Sequence, residues 1–308
     1  MAGGGEPTLY PNFDETIKKL KDGKTSPQIG LISNGVFIPK GNWPELLSWL
    51  RVSLYSIQLD QYAGRKPIVQ KKVIDNIVKY MNMNDLKMLG VSLLYYKGNV
   101  LDCINLTFEL YKKLKVSTRN IEGFNVQYKR AFVLSDPRNI NRNFHKQNLK
   151  LLPDEAEIME AIKYKEQLCS KEFEFEVFLN TSTNYRQIEE YLFNGKEKAI
   201  AQTDPEETVP QNFTNCYVAL ENRLITPKGY VYPCPSIAEN REPNLVLGHI
   251  LDKNESYIEK IQNYYQCNSE WCNKRFCRHT QHNELVQNYF DNGILPEYSK
   301  EILEDKFF

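Results

Sequence analysis

Leu86-Lys-Met-Leu-Gly-Val-Ser-Leu-Leu-Tyr-Tyr96, Val100-Leu-Asp-Cys-Ile-Asn-Leu-Thr-Phe-Glu-Leu-Tyr-Lys-Lys-Leu114 and Phe124-Asn-Val-Gln-Tyr-Lys-Arg-Ala-Phe-Val-Leu134 read as strand, helix and strand. The first is an apolar run of strand length, and the second repeats its apolar residues at helical spacing. Working back toward the N-terminus, the alternation continues. The segment Ile68–Met81 is amphipathic and helical, Arg51–Ser56 is a strand, and a helix is expected near Trp43–Leu50. Gln28–Ser33 is a short strand closed by the turn Asn34-Gly35. Residues 8–22 read as a turn and a helix, with Phe13, Ile17 and Leu20 on one face. Strands alternating with helices across ordinary connections mean parallel pairing through right-handed crossovers, hence an α/β layer or barrel. Four strands are visible, fewer than a closed barrel needs.

Beyond residue 134 the pattern changes. Residues 135–150 are polar and rich in Asn and Arg, as in a linker or a mobile active-site loop. A helix opens at Pro153 and runs to about Cys169, with acidic residues in its first turn. Lys171–Asn180 alternates Phe173, Phe175, Val177 and Leu179, which predicts a half-buried strand. Tyr185–Phe193 reads as helical, and the Pro-bounded acidic turn Asp204–Pro210 as a domain boundary.

The chain has 308 residues, 41% of them hydrophobic and 25% charged, which suits a globular protein with a substantial core. Lys+Arg and Asp+Glu each number 39, and this balance argues against nucleic acid or a membrane surface as the main partner. No apolar run is long enough to span a bilayer, and Met1–Pro7 shows neither the basic nor the apolar part of a secretory signal. Ala2 stands where myristoylation would need Gly. A cytoplasmic protein is expected.

Cysteine is the informative count. Of seven, five crowd toward the C-terminus: Cys216, Cys234, Cys267, Cys272 and Cys277. Such clustering without a secretion signal reads as metal ligation before disulfides. Leu224–Thr226 and Tyr230–Tyr232 form a hairpin around Pro227-Lys228-Gly229, with a thiol toward either end in the spacing Cys-x12-Gly-x4-Cys. Cys267, Cys272 and Cys277 follow at x4 intervals. Thiolates converging from a hairpin and a later loop suit an iron–sulfur cluster or a tetrahedral zinc. A zinc ribbon competes, although its pairs are normally closer. Five inert buried thiols are the bland alternative. His279 and His282 beside the cluster fit surface or outer groups better than ligands, Cys103 fits a helix core, and Cys169 has no partner in sequence.

The phrase Ile225-Thr-Pro-Lys-Gly-Tyr-Val-Tyr-Pro-Cys234, with Leu247-Gly-His-Ile250 and the Cys267–Cys277 run, resembles the SPASM/twitch auxiliary-cluster region of radical S-adenosylmethionine enzymes. Gly4-Gly5-Glu6-Pro7 resembles that family's motif at the end of barrel strand two. Ile32-Ser-Asn-Gly35 and Arg51-Val-Ser-Leu-Tyr55 resemble its strands three and four. The resemblance covers about residues 3–134 and 211–280. It implies a partial (β/α) TIM-like barrel over 1–134, a connector over 135–209 and a small α+β SPASM/twitch-type cluster domain over 210–308. By resemblance, Gly4, Gly5 and Glu6 bind the methionyl amino group of S-adenosylmethionine. Paired glycines allow close backbone approach, and a carboxylate accepts from an ammonium. Ser53 would contact the carboxylate or ribose, and Asn34 would end a strand facing the site, though turn chemistry explains it equally. Asn99, Lys129 and Arg130 are weaker candidates near strand C-termini, where barrels build their sites.

The implied metal ligands are Cys216 and Cys234 with Cys272 and Cys277, and Cys267 as alternate. They would hold an auxiliary [4Fe-4S] cluster in a peptide- or protein-modifying maturase. The alternative is a non-catalytic iron–sulfur or zinc-binding module. The family's Cys-x3-Cys-x2-Cys, which holds the radical-generating cluster, is absent from this sequence. The expectation is therefore an N-terminally truncated chain, or half of a split enzyme whose second chain supplies the missing strands and cluster. Such a chain alone could not cleave S-adenosylmethionine, and its sheet would have an open edge.

Overall fold

The computed structural model describes residues 6–22, 27–55, 68–83, 85–117, 123–130, 151–185, 216–217, 223–226, 228–233, 246–249, 251, 260 and 280–292. The chain divides into two compact units, Met1–Leu134 with Asn143–Thr203, and Ser135–Arg142 with Asp204–Phe308.

The first unit is α/β. Its parallel strands β1 (Gly30–Ser33), β2 (Trp49–Leu54), β3 (Leu89–Tyr95) and β4 (Phe124–Arg130) lie in sequential order. Their helices are α1 (Phe13–Lys21), the short α2 (Trp43–Leu46), α3 (Ile68–Met81) and α4 (Val100–Lys115). The expected helix near Trp43–Leu50 is thus one turn long, and β2 starts at Trp49. Pro44 opens that turn, and Leu47 returns the backbone to an extended conformation. A sequential parallel order with right-handed crossovers carries the connecting helices to one face. Val52, Leu54, Val91, Leu93, Val126 and Tyr128 point to that face and are buried. The Tyr128 hydroxyl there lies 2.5 Å from Thr107 Oγ1 of α4. Phe13, Trp43 and Tyr80 bind α1, α2 and α3 together through edge-on ring contacts at 5.4 and 6.0 Å. Leu20, the third residue of the α1 stripe, is exposed.

Two further helices belong to this unit, although residues 135–209 read as a connector. α5 (Glu155–Lys171) is capped by Asp154, whose carboxylate accepts from Glu157 N at 3.0 Å. Glu157 Oε1 in turn accepts from Gly98 N at 2.7 Å, beside the start of α4. α6 (Phe173–Ser182) corrects the expectation of a strand over Lys171–Asn180. Phe175, Phe178 and Leu179 are buried at i, i+3 and i+4, whereas Phe173 is 72% and Val177 47% exposed. The segment satisfies both periods. The aromatic surface of α4 selects the helical one, because Phe175 lies 4.8 Å from Phe108 and 5.3 Å from Tyr111. Glu174 and Glu176 in the first turn suit a helix N-terminus.

The outer edge of β4 is met just after α6, where Thr183 forms a parallel bridge with Val126 and the Asn184 side chain pairs with Tyr128. Asn184 Oδ1 accepts from Tyr128 N at 2.7 Å, and Asn184 Nδ2 donates to Tyr128 O at 3.1 Å. Among the described residues no strand pairs with the outer edge of β1.

In the second unit β5 (Leu224–Ile225), β6 (Tyr230–Tyr232) and β7 (Gly248–His249) make a small antiparallel sheet, followed in sequence by helix α7 (Thr280–Asn292). The expected hairpin is present. Gly229, with φ +84°, donates to Thr226 O at 2.8 Å, and a Cβ there would lie 2.3 Å from His249 Nε2. Only glycine fits this turn.

Candidate functional site

Glu6 caps the short 3-10 turn Pro7–Leu9, and its carboxylate reaches the end of β1. Oε1 accepts from Thr8 N at 3.1 Å, Thr8 Oγ1 at 2.6 Å and Ser33 Oγ at 2.8 Å. Oε2 accepts from Asn34 N at 2.6 Å. Two motifs 28 residues apart in sequence thus meet at the C-terminal end of one strand. A carboxylate offers about four lone-pair directions, so Oε2 retains accepting capacity for an ammonium. The residue chemistry therefore fits the methionyl amino group expected there. The loop after β1 is held firmly. Asn34 Oδ1 accepts from Val36 N at 2.9 Å, and Asn76 of α3 donates to Gly35 O at 2.8 Å. Asn34 contributes its side chain to its own turn and its backbone N–H to Glu6.

Ser53 is half-buried on β2, in register with Ser92 on β3. Asn99 is buried and closes the turn after β3, its Oδ1 accepting from Tyr96 N at 2.7 Å and its Nδ2 donating to Leu94 O at 3.0 Å. Lys129 lies on the same sheet face as Ser53, and Arg130 is the last residue of β4. Cys103 is core, as expected, and burial pushes its thiol well above the usual range. Cys216 is half-buried beside the buried Tyr217. Gly4, Gly5, Cys234, Cys267, Cys272, Cys277 and His279 lie outside the described residues, as do Tyr185–Phe193 beyond Tyr185 and the linker over 135–150. His282 falls in α7. Among the described residues no three metal-ligating side chains come together.

The face of the sheet away from the described helices carries Ser53 and Lys129, which the sequence singled out, and four polar residues that it did not. On a strand, alternate residues share a face. Arg51, Ser53, Ser92, Asn125, Gln127 and Lys129 therefore lie together opposite the apolar face. Arg51 Nη1 donates to Gln127 Oε1 at 2.8 Å, spanning β3. It can do so because Gly90 stands between. A Cβ at Gly90 would lie 3.3 Å from Asn125 Oδ1 and 3.5 Å from Arg51 Nε. Arg51 is 8% and Ser92 7% exposed, yet Arg51 Nε, Ser92 Oγ and Asn125 Oδ1 have no hydrogen-bond partner. Burial lowers the pKa of Arg51, and Lys129 is lowered first by desolvation and then by the Arg51 charge. The signal was present in the alternations Arg51-Val-Ser-Leu54 and Asn125-Val-Gln-Tyr-Lys129. Parallel strands usually read as continuous apolar runs, so a polar set on one face marks a surface kept for something else.

Among the described residues no helix is long and apolar enough to cross a membrane. No protein-family model matches the chain, and no curated protein matches it in sequence. Among solved structures the chain is similar to "Structure of TYW1 with a lysine-pyruvate adduct bound", at 22% identity and a TM-score of 0.32. That match covers 49% of this chain and 46% of the other, so it spans less than half the length of either.

Proposed function

We propose that this chain is a radical S-adenosylmethionine-type protein, a peptide- or protein-modifying maturase with an auxiliary iron–sulfur cluster. One observation carries the reading: the Glu6 carboxylate is seated on Ser33 and Asn34 at the end of β1. The two segments that separately resemble the family's strand-end motifs meet as a ligand site would need. The sequential parallel sheet, with its polar face opposite the helices, supports the same reading. In a (β/α) barrel the helices form the outer ring, so the face opposite them lines the interior. In this assignment Glu6, with Gly4 and Gly5, receives the methionyl amino group, and Ser53 the carboxylate or ribose. Cys216, Cys234, Cys272 and Cys277, with Cys267 as alternate, would hold a [4Fe-4S] cluster. Bound S-adenosylmethionine and iron–sulfur clusters would supply one-electron chemistry, and the residues named here bind and orient. This sequence contains no Cys-x3-Cys-x2-Cys, so radical generation in this reading draws that motif from a second chain or from residues beyond this sequence.

Anaerobic purification followed by iron, acid-labile sulfide and zinc analysis tests the assignment. About four iron and four sulfide per chain, lost together in Cys216→Ser and Cys234→Ser, are expected for a thiolate-held cluster. Stoichiometric zinc without iron would turn the second unit into a zinc-stabilised binding module and end the maturase reading.

A further inference from the structure

We propose, on the reading of Glu6 as an ammonium acceptor, that Asn76 of α3 is a positioning residue: it holds the turn after β1 so that the Glu6 carboxylate is set to receive the ligand. That turn is gripped from two directions. On one side Asn34 N donates to Glu6 Oε2 at 2.6 Å, Gly35 N donates to Ser33 Oγ at 3.0 Å, and Ser33 Oγ donates to Glu6 Oε1 at 2.8 Å. On the other side the carbonyls meet α3. Asn76 Nδ2 donates to Gly35 O at 2.8 Å and to Val36 O at 3.2 Å, and the Tyr80 hydroxyl donates to Phe37 O at 3.3 Å. A peptide unit is planar and trans, so its C=O and N–H point opposite ways. The unit joining Gly35 to Val36 is therefore fixed at both ends, by Asn76 at its carbonyl and by Asn34 Oδ1, which accepts from Val36 N at 2.9 Å. Asn76 thus sets the Asn34 side chain, and with it the backbone N–H that meets Glu6.

Asn76 is 5% exposed on a helix face otherwise built from Val73, Ile74 and Ile77. A buried amide is costly unless it is hydrogen-bonded, and the two N–H donors of this one meet two carbonyls. The turn itself is packed without slack. Gly35 has φ +69°, and a Cβ there would lie 2.5 Å from Val52 Cγ1 and 3.1 Å from Val73 Cγ1. Burial, and then the Glu6 charge, push the Tyr80 hydroxyl up, so it stays a donor to Phe37 O and places α3 within the electrostatic reach of Glu6. Leucine at position 76 would keep the size of the side chain and lose both donors.

Amide NMR of the isotope-labelled full chain, without ligand, supplies a readout that a merely structural role would not move. A short bond to a carboxylate draws the Asn34 amide proton downfield. Glu6→Gln should shift it back, and Asn76→Leu should do the same while circular dichroism shows the fold retained. Tyr80→Phe, which loses only the longest of these bonds, should shift it less. Asn76→Ser, which keeps one donor, should fall between the wild type and Asn76→Leu, and it serves if Asn76→Leu does not fold. Calorimetric titration with S-adenosylmethionine should then show binding about tenfold weaker in Asn76→Leu, the equivalent of one charged hydrogen bond. An unmoved Asn34 amide in the folded Asn76 variants, or in Glu6→Gln, would overturn the proposal, as would equal S-adenosylmethionine affinity in the wild type and folded Asn76→Leu. A wild-type chain that keeps the downfield amide yet binds no S-adenosylmethionine would instead remove the ligand assigned to Glu6, and the amide shift in Asn76→Leu would still decide the positioning.

Discussion

Gly30 lies beneath the indole of Trp49, and a Cβ there would sit 2.1 Å from Trp49 Cε2 and Cζ2. The guanidinium carbon of Arg51 is 6.0 Å from the same ring, so Gly30, Trp49 and Arg51 form one stack on the polar face. Gly30→Ala must push the indole aside. Overpacking of this kind should cost about 1–3 kcal/mol by denaturant unfolding. Gly90→Ala meets atoms at 3.3 and 3.5 Å and should be much milder. Lys129 gives a pH signature. Its folded pKa is lowered from 10.5, so in the window just below that value the unfolded chain holds more protons than the folded one. Stability should therefore rise with pH through that window. The rise should disappear in Lys129→Met. Unfolding midpoints measured below pH 10.5 check this.

At the scale of elements, α6 is the most informative. Its alternating Phe173, Phe175, Val177 and Leu179 would all share one face of a strand. In the helix only Phe175 and Leu179 of these are buried, joined by Phe178. Phe175→Ala should cost about 3–5 kcal/mol, as for other fully buried aromatics. Val177→Ala should stay within about 0.5 kcal/mol, as for an exposed position. Equal losses at both would return the segment to a strand. Lys115 joins the same junction, reaching Glu172 at 2.8 Å and Glu174 at 2.7 Å. These pairs are exposed and fix orientation more than they stabilise. The first turns of α4 and α5 are also linked, because Glu157 accepts from the backbone ahead of α4. Replacing Glu157 with Gln removes charge from that cap and should lower the thermal midpoint slightly.

At the scale of the molecule, the contiguous apolar core runs from Phe13 to Tyr185, and all its described members lie in the first unit. Among the described residues no cysteine of the second unit belongs to that core. If the second unit holds the proposed cluster, chelation should leave the unfolding of the first unit unchanged, followed by Trp43 and Trp49 fluorescence in a Trp271→Phe background. Proteolysis within residues 204–308 should accelerate, because a metal-held unit gains its folding energy from the metal. A shift of both together would show that the cysteines support the whole chain. The parallel sheet, its four strands, the core position of Cys103 and the hairpin at Gly229 were all legible in the sequence, because each follows from local periodicity or turn chemistry. The helical state of α6, the docking of Glu6 on Asn34 and the reach of Arg51 across β3 to Gln127 were not. Each depends on which distant surface a segment meets, and a local period that fits two structures carries no information about that surface.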